Sequence, residues 1–342
     1  MKKLVLDSIG FPPTFKSVET DIPQISDEEV LVKVTAVGLC YHDILISEGI
    51  LRRGVKDELV LGHEFSGEVI CIGKSIQDLN INDKVITTLT SSCGNCTTCI
   101  QGNDYHCPNS DGFGHGIDGG LSQYIALRRE NIIKLPESID PIAASLIACP
   151  IGVSFKALMD VANIQQDHTV VIFGAGGGLG IHAVQIARAV GADVIAFTSS
   201  PNKLEKLNVF TDKAFLIEED LDPAEIVFSL TSNKGADLVF NPVGGALFKA
   251  SIRCLSIGGK MLLLGQVDSS LVSINIAEIL FREISIIGSV GADRNHISKV
   301  MNMISEGVIH PVIGETMSFQ NISQAYKTLS LNSVPGRIVL TL

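Results

Sequence analysis

Cys93, Cys96, Cys99 and Cys107 follow one another as C-x2-C-x2-C-x7-C in a loop rich in Gly, Asn, Thr and Ser. Four thiolates this close can enclose a tetrahedral zinc with no position left for water, so the chemistry of such a site is structural and not catalytic. Disulfides compete poorly, because the first residues, Met1 to Asp7, lack the apolar stretch of a signal peptide and point to a reducing compartment. An iron–sulfur cluster is suggested by Pro108 after Cys107. The last cysteine spacing is too long for the bacterial ferredoxin pattern, and the remaining cysteines lie far off in sequence.

A second stretch with chemical potential is Gly174-Ala175-Gly176-Gly177-Gly178-Leu179-Gly180, directly after the apolar run Val170–Phe173. Glycines in a strand-turn-helix setting let the backbone approach a pyrophosphate, whose charge sits at the helix N-terminus. The glycine pattern alone is weak, and the setting makes it strong. An NAD-binding site places Asp or Glu at the end of the next strand to hold the ribose hydroxyls; here the sequence reads Thr198-Ser199-Ser200-Pro201-Asn202-Lys203. With no acid to repel a phosphate and with Lys203 available, NADP(H) is preferred over NAD(H). The alternative is that Thr198 to Ser200 only make a turn and both cofactors bind. Val243, Gly265 and Gln266 follow two later strands, at the sheet edge where such folds bind ligand.

The elements that must position these residues fall into two textures. Residues 1–149 alternate β-rich stretches such as Glu29 to Val37 with Gly- and Cys-rich loops, the zinc lobe lying at about 90–110. From Thr169 onward, Val170–Phe173, Val194–Phe197, Ala214–Ile217, Leu238–Phe240, Met261–Leu264 and Ile284–Ile287 are short apolar runs separated by helix-length segments. Such runs are strands buried on both faces, so the class is α/β with a doubly wound parallel sheet over 150–289. Leu179, Ala183, Ile186, Ala187 and Val190 recur at helix spacing, and Gly191 stops the helix.

Length and charge set outer limits. A chain of 342 residues exceeds one compact core. With 26 Lys and Arg against 37 Asp and Glu, the net charge of −11 and the absence of a long basic run exclude nucleic acid as an expected partner. No apolar run approaches the roughly 18 residues of a membrane helix, so the expected location is cytoplasmic.

Gly38-Leu39-Cys40-Tyr41-His42-Asp43, Gly62-His63-Glu64 with Gly67, Asp83-Lys84-Val85, the four-cysteine lobe and Asp118-Gly119-Gly120 together resemble the zinc alcohol dehydrogenases of the medium-chain dehydrogenase/reductase superfamily, in order and interval over essentially the whole chain. The resemblance implies a GroES-like catalytic domain, a Rossmann coenzyme domain, and a return of 290–342 to the first domain. It implies a catalytic zinc on Cys40, His63 and Cys149, with Glu64 able to replace water on the metal and Asp43 orienting His63. Taken singly, none of these would stand out: Asp43 reads equally as a helix cap. Arg337 resembles a position that reaches the cofactor phosphate, with a surface salt bridge as the plain alternative.

The resemblance further implies two zincs per subunit, a small carbonyl or alcohol substrate, and a homodimer or homotetramer formed through the edge strand at Glu283 to Ser289. The chain departs from the family at the proton relay, where His42 replaces a hydroxyl residue and Leu45 a relay histidine. His42 is then the expected general acid, if its pKa lies near the working pH. Cys40-Tyr41-His42-Asp43 and Val194 to Lys203 also resemble the acryloyl-CoA reductase branch, which makes enoyl-CoA reduction the alternative to carbonyl reduction. A non-catalytic crystallin-like NADPH binder is a third reading, opposed by the intact ligand set. Phe113, His115 and Phe281 are expected to line the substrate pocket.

Overall fold

Uninterrupted runs of Val, Ile and Phe form strands covered on both faces; all six runs in the second half of the chain form strands, with the edge strands Ala214–Leu216 and Ser285–Gly288 only partly covered. In the computed structural model, which describes residues 1–218, 221–267 and 271–342, they make one parallel sheet. Across the sheet the order is Ala214–Leu216, Asp193–Thr198, Thr169–Ile172, Ala236–Asn241, Leu255–Leu263 and Ser285–Gly288. The order reverses direction between Thr169–Ile172 and Ala236–Asn241, which opens a crevice at their carboxyl ends. The helix Gly178–Val190 leaves that crevice, and its last turn ends on Gly191, at φ 93°. Its apolar side is buried, including Ile181, Ala183, Val184, Ile186 and Ala187.

One strand begins earlier than its apolar run suggests: the run Met261–Leu264 is preceded by a polar start at Leu255. Its register with Ala236–Asn241 shifts between Ala236 and Leu238. The Ser256 to Gly258 stretch there is largely exposed, so no hydrophobic pattern announces it.

The first half forms a seven-stranded sheet in the order Ile313–Ser318, Arg337–Thr341, Glu29–Gly38, Glu64–Ile72, Lys84–Thr87, Ile132–Lys134, with Tyr124–Arg128 also paired to Glu29–Gly38. Two of these strands come from the end of the chain, so the sheet closes only after the coenzyme domain has been made. A helical stretch over residues 141–161 runs between the sheets, and one continuous core holds residues of both domains, among them Cys40, Ile86, Cys149, Ile151, Ile181 and Val339. Within it, the Ile151 N–H reaches back five residues to the Leu146 carbonyl at 3.3 Å, the widened turn of a π-helix, and Cys149 and Pro150 sit inside that turn. Widened turns of this kind concentrate at functional sites.

No helix among the described residues is long and apolar enough to cross a membrane.

Candidate active site and metal centres

The lobe cysteines meet at their sulfurs. Cys93–Cys107 and Cys96–Cys99 are 3.5 Å apart, Cys96–Cys107 3.8 Å and Cys93–Cys99 4.0 Å. A tetrahedron with zinc–sulfur bonds of ~2.3 Å has edges of ~3.8 Å, so the set fits zinc without rearrangement. A disulfide, at about 2.05 Å, is not approached, and all eight cysteines are free. Backbone N–H groups of Asn95 and Cys96 favour the Cys93 thiolate and lower its pKa to about 6.

The lobe also grips the start of the chain's return. The Tyr105 N–H donates to Asp293 Oδ1 at 2.9 Å, and the Arg294 N–H donates to Asp104 Oδ1 at 2.9 Å. The Lys156 ammonium lies 5.4 Å from the Tyr105 ring centre and 3.6 Å from Asp293.

Cys40, His63, Glu64 and Cys149 are all buried, with one ligand atom from each within 4.8 Å of the others. Cys40 ends the link from strand Glu29–Gly38 and begins helix Tyr41–Ser47; Gly38 pairs with Glu64 across the sheet, and the π-turn brings Cys149 in from the other side. The two thiols share a hydrogen bond, which pulls the Cys40 pKa well down and pushes Cys149 up.

Asp43 caps the helix and stands within reach of His63. Its Oδ2 accepts the Cys40 N–H at 3.2 Å as a helix cap, and its Oδ1 lies 3.4 Å from His63 Nδ1. The carboxylate therefore faces the nitrogen opposite the ligand position, as a group that orients a metal-bound histidine must. Tyr326, from the C-terminal segment, donates its hydroxyl to Oδ2 at 3.2 Å. It lies far from the other site residues in sequence and carries no motif, so sequence reasoning missed it.

Arg337 departs from one of its two readings, the surface salt bridge. It is buried, which removes the surface salt bridge, and its guanidinium is committed to Glu64: Nη2 donates to Oε1 at 2.8 Å and Nε to Oε2 at 3.2 Å. Nη2 also lies 3.4 Å from Cys40 Sγ. Burial opposes the charge of Arg337, yet Glu64 and the two cysteines outweigh it and hold the guanidinium protonated. Burial raises Glu64 to about 7 against the pull of Arg337. The guanidinium packs flat against Gly178, where an added Cβ would lie 2.6 Å from Nε and 2.7 Å from Nη1.

The glycine turn forms the floor of a cleft lined by Gly174, Gly177, Gly178, Leu179, Gly180, Ser199, Lys203, Val243 and Arg337, joined by Tyr41. Gly176 lies behind it, where a Cβ would meet Lys203 Cβ at 2.4 Å. Lys203 is buried and bonds Asn332 Oδ1, while Asn332 Nδ2 reaches Ser199 Oγ at 3.4 Å. Burial, with Arg337 nearby, lowers Lys203 to about 8. Thr198 and Ser200 are buried in the turn itself, Thr198 Oγ1 accepting the Ser200 N–H at 3.4 Å. For these two residues the plain reading as a turn is the structural one. Gly265 and Gln266 line a separate depression with Gly244, Gly245 and Phe248, outside the cleft. Burial of their strand ends does not distinguish the two sides of the 242–245 turn, which is why sequence placed them with Val243. Asn241 builds that turn, accepting N–H groups of Val243 and Gly244 at 2.9 and 2.8 Å.

Beside the cleft a second cavity of ≈ 410 Å³ holds Cys40, His42, His63 and Cys149 with Leu89, Thr90, Tyr105, Phe113, His115 and Val153. Leu179 lines both spaces, so they adjoin there. Phe113 and His115 are where sequence expected them; Phe281 is not, being 80% exposed on helix Ile276–Arg282. The His42 ring stands 5.2 Å from His63 and 5.4 Å from His115. Burial, then His63, lowers the His42 pKa to about 4. Its imidazole is therefore neutral at ordinary pH, contrary to the expectation of a pKa near the working pH. Nδ1 of His42, Nδ1 of His115 and Oγ1 of Thr90 are buried without a protein partner.

Residues 26–137 match the family model of the alcohol dehydrogenase GroES-like domain, and residues 178–306 that of the zinc-binding dehydrogenases. An acryloyl-coenzyme A reductase of Metallosphaera sedula is 29% identical over 342 residues, covering 100% of both chains. An alcohol dehydrogenase of Geobacillus stearothermophilus is 28% identical over 341 residues, 99% of each. Among solved structures, an NAD-dependent alcohol dehydrogenase superposes with a TM-score of 0.95 at 26% identity over 100% of both chains. The structure of AibC does so at 0.89 and 28% identity, over 100% of this chain and 95% of that one. With both domain models in their proper order and a thiol-rich site between them, the chain is an oxidoreductase of the medium-chain dehydrogenase/reductase family.

Proposed function

We propose that the chain is a zinc-dependent reductase that moves hydride between NADP(H) and a carbonyl carbon, interconverting an aldehyde or ketone with its alcohol. The observation that carries this reading is the adjacency at Leu179 of a glycine-floored cleft and a cavity holding Cys40, His63 and Cys149. A zinc held by those three residues would supply a Lewis acid for a substrate oxygen. Asp43 fixes the ring of His63, and Tyr326 fixes Asp43. Arg337 opposes the protonation that burial favours on Glu64 and holds that carboxyl beside the ligand set. Leu89, Phe113 and Val153 exclude water around the reacting carbon. His42 and His115, each without a protein partner at Nδ1, offer hydrogen bonds to substrate oxygen. Lys203 and Ser199, tied through Asn332, form the end of the cleft suited to a 2′-phosphate.

A second reading is reduction of an enoyl thioester. Similarity over the whole chain to acryloyl-coenzyme A reductases supports it, as does the absence of a charged relay at His42, since an imidazole that stays neutral serves better as a hydrogen-bond donor to a thioester carbonyl than as a proton source. Incubation of the enzyme with NADPH and either simple aldehydes or crotonyl-CoA, with and without a chelator, separates the two. Oxidation of NADPH with aldehydes alone, abolished by the chelator, supports carbonyl reduction; turnover of crotonyl-CoA alone overturns it.

Pairing of two copies through the edge strand Ser285–Gly288 belongs to the same proposal. Ile276, Leu280 and Phe281 beside it are exposed apolar residues that a partner would cover.

A further inference from the structure

We infer that Tyr105, seated on Gly291, sets the size limit of the substrate by making a wall of the cavity that does not yield. The inference rests on the reading of that cavity as the substrate site and deepens it by naming the side chain that decides which substrates enter.

Tyr105 and Gly291 both line the cavity, with Cys149, Val153 and Val290. Gly291 has a φ of 67°, and a Cβ added there would lie 2.3 Å from Cε2 and Cζ of Tyr105 and 2.4 Å from Cδ2. The ring therefore lies directly on the glycine backbone, in space that any other residue would fill. Burial, then Cys149, raises the pKa of the phenol, which places its hydroxyl within electrostatic reach of the ligand set.

The ring is held on its other sides as well. The Lys156 ammonium, 5.4 Å from the ring centre, donates to the Val290 carbonyl at 3.1 Å, and the His106 ring meets Tyr105 edge to face at 5.3 Å. Asp293 takes the Tyr105 N–H on one oxygen and faces Lys156 with the other. Lobe, linking helix and returning chain thus converge on one aromatic ring. A side chain packed in this way has no empty space to swing into, and forcing it aside costs packing around it. Leu89, Phe113, Val153, Leu264 and Val290 make much of the remaining lining apolar, which suits a hydrocarbon group on the substrate.

The test uses the full-length enzyme with NADPH and two graded series, unbranched alkanals from propanal to decanal and 2-enoyl-CoA esters of increasing acyl length. Each methylene that fits is expected to raise kcat/KM by about fourfold, the transfer free energy of one CH2, up to a break beyond which kcat/KM falls. Tyr105→Ala and the milder Tyr105→Leu should move the break to larger members, raising kcat/KM about tenfold or more for the first member that wild type rejects. Tyr105→Phe should keep the break in place, because the ring and not the hydroxyl makes the wall. Gly291→Ala should lower the melting temperature by about 3 °C more in the wild-type chain than in Tyr105→Ala, since the left-handed φ strains both and the ring is overlapped only in the first. A break unmoved by Tyr105→Ala and Tyr105→Leu, a break moved as far by Tyr105→Phe, or equal melting losses in the two backgrounds overturns the proposal. Calorimetric titration of 1-alkanols of the same lengths into the NADPH complex reads the limit without turnover; affinity that fails at one length in wild type and Tyr105→Ala alike overturns it as well. Which series turns over decides the reaction class separately: turnover of the CoA esters alone removes the carbonyl reading and leaves the wall to be measured on the enoyl chain, whereas an unmoved break in the series that does turn over removes the wall and leaves the reaction class standing.

Discussion

Tyr326 donates its hydroxyl to Asp43 across 283 residues of sequence, at 3.2 Å in the buried core, and so ties the last helix of the chain to the carboxylate that faces His63. Asp43→Ala should lower zinc affinity at the Cys40–His63–Cys149 set by about 10- to 100-fold, the range for groups that orient a ligand histidine. Tyr326→Phe removes one hydrogen bond to a charged acceptor and should cost about 1.5–3 kcal/mol in unfolding free energy, with a smaller loss of metal affinity. Chelator-competition titrations and urea unfolding measure both. Wild-type zinc affinity in Asp43→Ala would remove the orienting role and leave only the helix cap.

Two zincs per subunit are expected in freshly purified protein, one on the lobe and one on the mixed set. Cys96→Ser should lower the melting temperature and lose the lobe metal, because a structural zinc contributes folding free energy directly. Cys40→Ser should keep the fold and lose the other metal with the activity. Elemental analysis paired with thermal unfolding distinguishes them; a single zinc shared by both variants would contradict the division.

Preference for NADPH over NADH should reach about tenfold in kcat/KM, ~1.4 kcal/mol. Lys203→Ala and Asn332→Ala should each reduce it, the second because Asn332 holds both Lys203 and Ser199. An equal loss with both cofactors would mean that neither side chain meets the 2′-phosphate.

His42→Ala is expected to raise KM more than it lowers kcat, as loss of a hydrogen bond made in ground and transition states alike does. A fall in kcat of about a hundredfold or more at constant KM would restore His42 as the proton donor.

Stability should carry a histidine signature at the place where the lobe grips the chain's return. Burial opposes charge on His296, but its bonds to Asp293 and Asp160, the latter at 2.6 Å, raise its pKa above 6.5. A folded-state pKa above the unfolded one gives stability fully present below pH 6.5 and lost as pH rises through the raised value. His296→Gln should flatten that part of the pH profile. Urea titrations across the window, showing the same slope in variant and wild type, would assign the dependence elsewhere.

The parallel sheet was legible because its strands carry short apolar runs, and the lobe because its cysteines are local. Cys40, His63 and Cys149 needed the resemblance, since three elements far apart in sequence bring them together. The surface reading of Arg337 failed for a physical reason: a guanidinium in an isolated Pro-Gly-Arg reads as exposed, whereas the Gly336 N–H bond to the Gly176 carbonyl at 2.9 Å carries it into the core. Tyr326 and Asn332 were invisible, because one hydroxyl and one amide on a C-terminal helix and its turn have no spacing to betray them. Phe281 read as a pocket residue by its type alone, and type does not tell which face of a helix meets solvent.

Tyr105 lies between two lobe cysteines and also in the wall of the substrate cavity. A metal held by the four cysteines would therefore stiffen part of the pocket together with the lobe. Insertions, deletions or exchanges between Cys99 and Cys107 should drift with substrate choice across relatives, so that a segment ordinarily counted as scaffold becomes one of the places where a new specificity can arise while the ligand set for the reacting centre stays untouched.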